Sequence, residues 1–289
     1  MKFNVNGQAI TGQFAVYAEK ILADKDYYKD YINQKIDSGQ FKAAMYADAS
    51  LSSVAGFNDY MIEHISVMPP DERMPADKIF GWLENNKIIS CNENIYDGFN
   101  EYRKSVLENY NHGDFITFVY PEDELLMYAA AKIAKPKRLF MAGCYYGYLG
   151  IWMMQSVREN GGVAVLSDID EQVCELAREN FKNLGFENNA EICCEDAAAI
   201  LSRRDEPIDM LVLDATGKGD DERPEFRGKR IYGALLKAAK HLLRKGSVIY
   251  IHNMEHSPDM RELIDELREI NALGESYPTY NGLGVYIIK

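Results

Sequence analysis

The sequence predicts an α/β protein: a parallel sheet wound with helices on both faces, closed by an antiparallel hairpin and preceded by a helical segment. Three observations predict it. From about residue 121 onward, short apolar runs alternate with amphipathic helical stretches, the pattern of a parallel sheet covered on both sides. Before about residue 112, apolar residues recur three and four apart with little strand character. The chain ends in two strand-like runs around Asn281-Gly282, and an Asn-Gly pair between apolar runs marks a hairpin.

The elements follow in order. Segments 14–36 and 40–66 carry helical spacing; Pro69 and Pro70 break it, and Pro75 sits just beyond. A further helical stretch, 95–110, stops near Asn111-His112-Gly113. This half is rich in tyrosine, including Tyr27, Tyr28, Tyr31, Tyr102 and Tyr110. Such residues suit helix packing faces, and a few suit a pocket for an aromatic or cationic ligand. The sheet half opens with the helix PEDELLMYAAAKIA (121–134) and the strand RLFMA (138–142). A helix over 148–158 and the strand VAVLS (163–167) come next. DEQVCELARENFKNLG (170–185) reads as a strong helix that Gly185 caps. Then come the strand AEICC (190–194), a helix over 196–203, the strand IDMLVLD (208–214) and a helix over 230–244. SVIYIH (247–252) is the fifth strand, followed by a helix over 258–270 and the closing hairpin. The sheet thus has seven strands, five of them parallel. The change of pattern divides the chain into a helical domain over 1–112 and a sheet domain over 113–289.

With 289 residues, 47% of them hydrophobic, the chain is long enough to bury a proper core. No apolar run approaches the ~20 residues of a membrane helix, and the opening MKFNVNGQAITGQF lacks the apolar stretch of a secretion signal. The expected location is the cytoplasm, with no membrane partner. A net charge of −13 repels phosphate backbones, which argues against nucleic acid and for a small-molecule partner. The five cysteines, Cys91, Cys144, Cys174, Cys193 and Cys194, form no C-x-x-C, so neither a disulfide framework nor a structural zinc site is expected.

In sheets of this kind, ligands sit at the carboxyl ends of the strands. The first strand runs into LFMAGCYYGYLG (139–150), where Gly143 and Gly147 allow positive φ and close backbone approach. The spacing is G-x-x-x-G-x-x-G, with Tyr145 where the dinucleotide fingerprint has its second glycine. A pyrophosphate needs that glycine; a ligand without phosphate does not. The second strand ends in Ser167-Asp168-Ile169-Asp170. Asp168 is the candidate to accept hydrogen bonds from ribose hydroxyls, and Asp170 reads as a helix N-cap. Asp196 of Glu195-Asp196-Ala197 can face an adenine edge or cap the next helix. The fourth strand ends at Asp214 and the fifth at His252-Asn253. Five successive strand ends therefore present glycines, three acids and a His-Asn pair around one crevice.

GCYYGYLGIWM resembles the glycine loop of class I S-adenosylmethionine-dependent methyltransferases, and most of all the small-molecule O-methyltransferases of the catechol and caffeoyl-coenzyme-A type. The resemblance runs from about Pro121 to Lys289 through SDID, EDA, LVLDA, LLRKGSVIYIHN and NGLGVYIIK. It implies a Rossmann-like domain that binds S-adenosylmethionine through Gly143, Tyr145, Gly147, Asp168, Ile169, Asp196, Ala197 and Asp214, and a homodimer. Three departures stand out. Ala142 occupies a position where the family usually has an acid. His252-Asn253 replaces the Asp-Asn pair with which the family often holds a divalent cation. The stretch TGKGDDERPEFRGKR (216–230) is longer than usual and reads as a charged flap over the site.

Two routes to methyl transfer follow. In one, a divalent cation on Asp214, His252 and Asn253 lowers the pKa of an acceptor hydroxyl. In the other no metal binds, His252 is the general base and Asp214 orients it. Lys218 is the candidate beside the acceptor, with His112 and His256 as secondary candidates, and Tyr120 and Glu122 at the methionyl end of the cofactor. Two other classes stay open: a nicotinamide-dependent oxidoreductase, for which Tyr232 and Lys237 are the nearest spelling of a Y-x-x-x-K pair, and a non-catalytic cofactor-binding relative.

Overall fold

The computed structural model describes residues 18–90, 94–254 and 260–289. Among the described residues, 18–22 are helical, and they are followed by α1 (Asp26–Ile32), α2 (Ser38–Ala47), α3 (Asp59–Ser66), α4 (Met74–Asn85) and α5 (Phe99–Asn109). The expected helical segment 40–66 is two helices with a 3-10 turn at Leu51–Ser53 between them. The proline-marked break hides α4. Pro75 stands in its first turn, where the missing N–H has no helical partner to lose.

The sheet half follows the expected alternation. Its elements are α6 (Pro121–Ala134), β1 (Arg138–Ala142), α7 (Tyr148–Ile151), α8 (Met154–Glu159), β2 (Val163–Asp168), α9 (Glu171–Asn183) and β3 (Ala190–Cys194). They continue with α10 (Ala197–Arg203), β4 (Ile208–Leu213), α11 (Ile231–Ala239), β5 (Leu243–His252), α12 (Arg261–Glu269), β6 (Ala272–Tyr277) and β7 (Leu283–Ile288). The seven strands lie in the order β3-β2-β1-β4-β5-β7-β6. β1 to β5 are parallel, and β7 runs antiparallel to both β5 and β6.

Two expected boundaries move. The helix expected over 148–158 breaks between α7 and α8, because the Tyr102 hydroxyl donates to the Ile151 carbonyl and takes an acceptor the helical ladder would use. The helix expected to reach 244 ends at Ala239. Residues 240–242 form a 3-10 turn, and β5 begins at Leu243, four residues early, with a register shift against β4 between Ile208 and Met210.

Alternation along the central strands separates two cores. Leu139, Met141, Met210, Val212, Val248 and Tyr250 face one side of the sheet. Phe140, Ala142, Leu211, Leu213, Ile249 and Ile251 face the other, under α10, α11 and α12. The first core continues through α6 into α4 and α5, since Ala76, Ile79, Phe80, Tyr102 and Val106 belong to the same cluster. A separate, smaller cluster lies earlier in the chain, with Leu22, Tyr31, Phe41 and Ile65 at its centre. No helix among the described residues is long and apolar enough to cross a membrane.

Candidate active site

Strand order reverses at β1, which lies between β2 and β4, so the crevice of an open α/β sheet belongs at their carboxyl ends. The loop after β1 is built for close approach. Gly143 has φ +80, and a Cβ there would stand 2.4 Å from the Ala215 backbone. Gly147 has φ +88 and would press a Cβ to 2.6 Å from Phe181. Between them Tyr145 itself adopts φ 50, the left-handed region that favours glycine. Its N–H donates to Asp168 Oδ2 at 2.8 Å, while Asp168 Oδ1 accepts from Ile169 N at 2.8 Å. The carboxylate at position 168 thus fixes the glycine loop as well as facing the crevice. Asp170 caps α9 through Gln172 N at 2.9 Å, and Asp196 caps α10 through Ala198 N at 2.7 Å.

Two adjoining cavities share Gly143, Asp168, Ala215 and Thr216. The first, about 260 Å³, also takes in Ile169, Asp196, Ala197, Lys218 and Phe226. The second, about 360 Å³, takes in Ile116, Phe118, Tyr145, Asp214, Lys229, His252 and Asn253. A larger cavity of about 750 Å³ opens behind the flap among α10, α11 and α12; it shares Asp196, Arg223 and Phe226 with the first cavity.

A buried ionic chain backs the second cavity. His252, 3% exposed, sits between two carboxylates: Nδ1 lies 2.9 Å from Asp214 Oδ1 and Nε2 lies 3.2 Å from Asp123 Oδ2. Asn281 Nδ2 donates to Asp123 Oδ2 at 3.0 Å and lies 3.1 Å from His252 Nε2. Lys229 Nζ donates to the Tyr232 hydroxyl at 2.8 Å and the Ala215 carbonyl at 3.1 Å, and lies 3.4 Å from Asp214 Oδ1. Burial alone would lower the His252 pKa, but the Asp214 charge and the hydrogen bonds to Asp123 and Asp214 outweigh it and raise it to about 10. Burial would raise Asp214, but His252 and Lys229 hold it below the usual carboxylate value. Burial lowers Lys229, and Asp214 opposes that shift.

This geometry revises three expectations. A general base needs a lone pair, whereas both His252 nitrogens face carboxylates and the ring holds its proton past neutral pH. Lys218 is exposed and lines the first cavity, away from His252; Lys229 occupies the place expected for it. The Tyr232 and Lys237 pair of a reductase is not assembled. Tyr232 is buried with its hydroxyl on the His252 carbonyl at 2.7 Å, and Lys237 lines the cavity behind the flap.

The cation ligand set does not fit a metal. Asp214 and His252 are hydrogen-bonded to each other, and Asn253 Nδ2 donates to Asn281 Oδ1 at 3.2 Å, so the three do not converge on a common point. Among the described residues no group of three or more His, Cys, Asp or Glu could hold a metal ion. The lining of the first cavity does suit an uncharged nucleoside, with a carboxylate at the β2 end and an exposed apolar Ile169, and beside it in the second cavity stands Tyr145, where a pyrophosphate would need glycine.

The secondary candidates lie elsewhere. His112 is buried with Nδ1 2.9 Å from the Tyr146 hydroxyl, and burial lowers its pKa. Tyr120 and Glu122 are buried, and neither the Tyr120 hydroxyl nor either Glu122 oxygen has a hydrogen-bond partner. His256 lies outside the described residues. Sequence reasoning missed Asp123, Lys229 and Asn281. Their signals were present but read locally: a helix-start acid, one cation in a charged flap, and a hairpin asparagine.

Residues 140–254 match a family model described as a methyltransferase domain. No curated protein matches the chain. Among solved structures it is similar to the O-methyltransferase of Bacillus cereus in complex with SAH, at 18% identity over 72% of this chain and 96% of that one, with a TM-score of 0.45. It is also similar to the SAH-bound Podospora anserina methyltransferase PaMTH1, at 18% identity over 77% and 98%, with a TM-score of 0.48. A third is the O-methyltransferase TomG of Streptomyces achromogenes in complex with SAM, involved in Tomaymycin synthesis, at 16% identity over 76% and 99%, with a TM-score of 0.46.

Proposed function

We propose, from the premise that residues 140–254 form a methyltransferase domain, that this chain transfers a methyl group from S-adenosylmethionine to the hydroxyl oxygen of a small molecule. The observation that carries the proposal is the continuity of the two cavities. The cavity at Asp168 and Asp196 shares Gly143, Asp168, Ala215 and Thr216 with one backed by Asp214, His252 and Lys229.

When bound, the cofactor supplies an activated methyl group on sulfur. The chain's own residues do the rest. Asp168 accepts from the ribose hydroxyls, Gly143 and Tyr145 shape the loop against the sugar, and Ile169 and Ala197 flank the base. Gly147 lets that loop close on α9. The acceptor lies in the second cavity between Ile116, Phe118 and Tyr145. Its hydroxyl faces the Lys229 ammonium, whose positive charge lowers the hydroxyl pKa so that the proton leaves to water, while the His252 imidazolium offsets the Asp214 and Asp123 carboxylates. This favours an acidic hydroxyl over a simple alcohol. His252 holds charge in place rather than removing a proton, and no step needs a metal.

Net charge and the lack of a membrane-crossing helix among the described residues support a small-molecule partner and a cytoplasmic setting. The homodimer implied by the resemblance is checked by sedimentation. Titration calorimetry with S-adenosylmethionine and its demethylated product tests the central reading. Binding of both with micromolar dissociation constants supports it; no heat at millimolar cofactor overturns it.

A further inference from the structure

The charged flap returns a lysine to the strand ends. Gly217 N donates to the Gly228 carbonyl at 3.0 Å and Gly228 N to the Gly217 carbonyl at 3.1 Å, so the segment leaves and re-enters through one neck. The neck needs its glycines: a Cβ on Gly217 would stand 1.5 Å from the Phe226 carbonyl oxygen, and Gly228 has φ +55. The next residue is Lys229, which the neck sets beside the end of β4. Oxygens surround its Nζ: the Tyr232 hydroxyl at 2.8 Å, the Ala215 carbonyl at 3.1 Å, the Asp214 carbonyl at 3.3 Å and Asp214 Oδ1 at 3.4 Å. The Tyr232 hydroxyl is free to accept because its own proton goes to the His252 carbonyl at 2.7 Å. An ammonium has three protons. Tyr232 and Ala215 take one each, and the two Asp214 oxygens share the third. A carboxylate, backbone carbonyls and a hydroxyl are also the donors that a hard cation selects.

Asp214 is the carboxylate that the resemblance to O-methyltransferases gives to a divalent cation. The second acid of that set is missing. His252 stands in its place, and its Nδ1 lies 2.9 Å from Asp214 Oδ1. We infer that Lys229 is a tethered replacement for that divalent cation, its ammonium seated among oxygens of Asp214, Ala215 and Tyr232 and delivered there by the flap. Its role at the acceptor rests on the methyltransferase reading. Two departures from the family then have one cause. The long flap supplies the positive charge. The exchange of an acid for His252 removes negative charge that a singly charged ammonium could not balance. A divalent cation at Asp214 would meet the Lys229 ammonium beside it and find Oδ1 already engaged.

The test has two arms, and neither uses cofactor or acceptor. In the first, magnesium chloride and manganese chloride are titrated calorimetrically into the wild type and into Asp214→Asn, with native circular dichroism required of both. The expected heats are the same for the two proteins; a wild-type metal site that Asp214→Asn removes overturns the inference. In the second, Lys229→Ala leaves a space shaped for an ammonium, and methylammonium is the probe. At equal ionic strength, methylammonium chloride is expected to raise the melting temperature of Lys229→Ala by about 2 °C or more over sodium chloride. Wild type and Lys229→Met, whose side chains fill the space, should show no such gain, and tetramethylammonium, too large for the oxygens to surround, should give none with Lys229→Ala. Equal shifts in all three proteins, or no shift in Lys229→Ala, overturn the inference. Failure of S-adenosylmethionine to bind would overturn the methyltransferase reading by a separate measurement.

Discussion

At residue scale, the imidazole between Asp123 and Asp214 is the best-defined titrating group of the site. Below its ordinary value of 6.5, folded and unfolded chains both hold the proton, and the stabilisation by the two carboxylates is fully present. As pH rises toward about 10, only the folded chain keeps it, so the contribution is progressively lost. Melting curves of wild type and His252→Gln are therefore expected to differ most below about pH 6.5 and to converge toward about pH 10. A gap that widens with pH would show the ring buried neutral. Lys229→Met removes the ammonium nearest the acceptor while leaving the first cavity intact. Its expected effect is a fall in kcat of about 10²- to 10³-fold with the cofactor dissociation constant unchanged. Asp168→Asn should act in the reverse sense. Loss of charge-assisted bonds worth about 1.5–3 kcal/mol weakens cofactor binding about 10- to 100-fold by calorimetry. The acids and glycines at the strand ends were legible because each ends a periodic run. Asp123 and Asn281 were not. They meet His252 across 129 and 29 residues of chain, and no local pattern encodes a contact of that kind.

Among the elements, α5 latches the helical segment to the glycine loop. Buried Arg103 donates through Nε to Glu124 on α6 at 2.9 Å and through Nη1 to Glu72 at 3.0 Å. Glu124 also accepts from the Tyr148 hydroxyl at 2.8 Å, and the Tyr110 hydroxyl donates to the Tyr146 carbonyl at 2.6 Å. Removing one partner of a buried ionic network strands the others without water. Arg103→Met is expected to destabilise the protein by about 3–5 kcal/mol in urea unfolding, far more than a surface ion pair would. A loss below about 1 kcal/mol would mean that water replaces the guanidinium. The strands β1 and β3 match their expected spans residue for residue because Arg138–Ala142 and Ala190–Cys194 are short apolar runs between clear breaks. The helix expected over 148–158 broke for a tertiary reason. Tyr102, some fifty residues upstream, intercepts a carbonyl that local propensity would give to the helix.

For the whole molecule, the sequence pattern changes near residue 112, but the core does not. Ala76, Phe80, Tyr102 and Val106 lie in one apolar cluster with Met141, Met210 and Val248 of the sheet. A fragment of residues 113–289 therefore bares that face of the sheet and is expected to be insoluble or to lack a cooperative thermal transition. A fragment that melts cooperatively near the intact protein would make the sheet half an independent folding unit. Composition could place the boundary of a pattern; it could not reveal that two patterns share one interior. The hairpin asparagine carries a related consequence into biosynthesis. Asn281 closes the ring of bonds around His252 and Asp123 and comes last of the three in the chain. Synthesis therefore delivers this keystone after both residues it binds, and a nascent chain stopped short of it leaves the ring open.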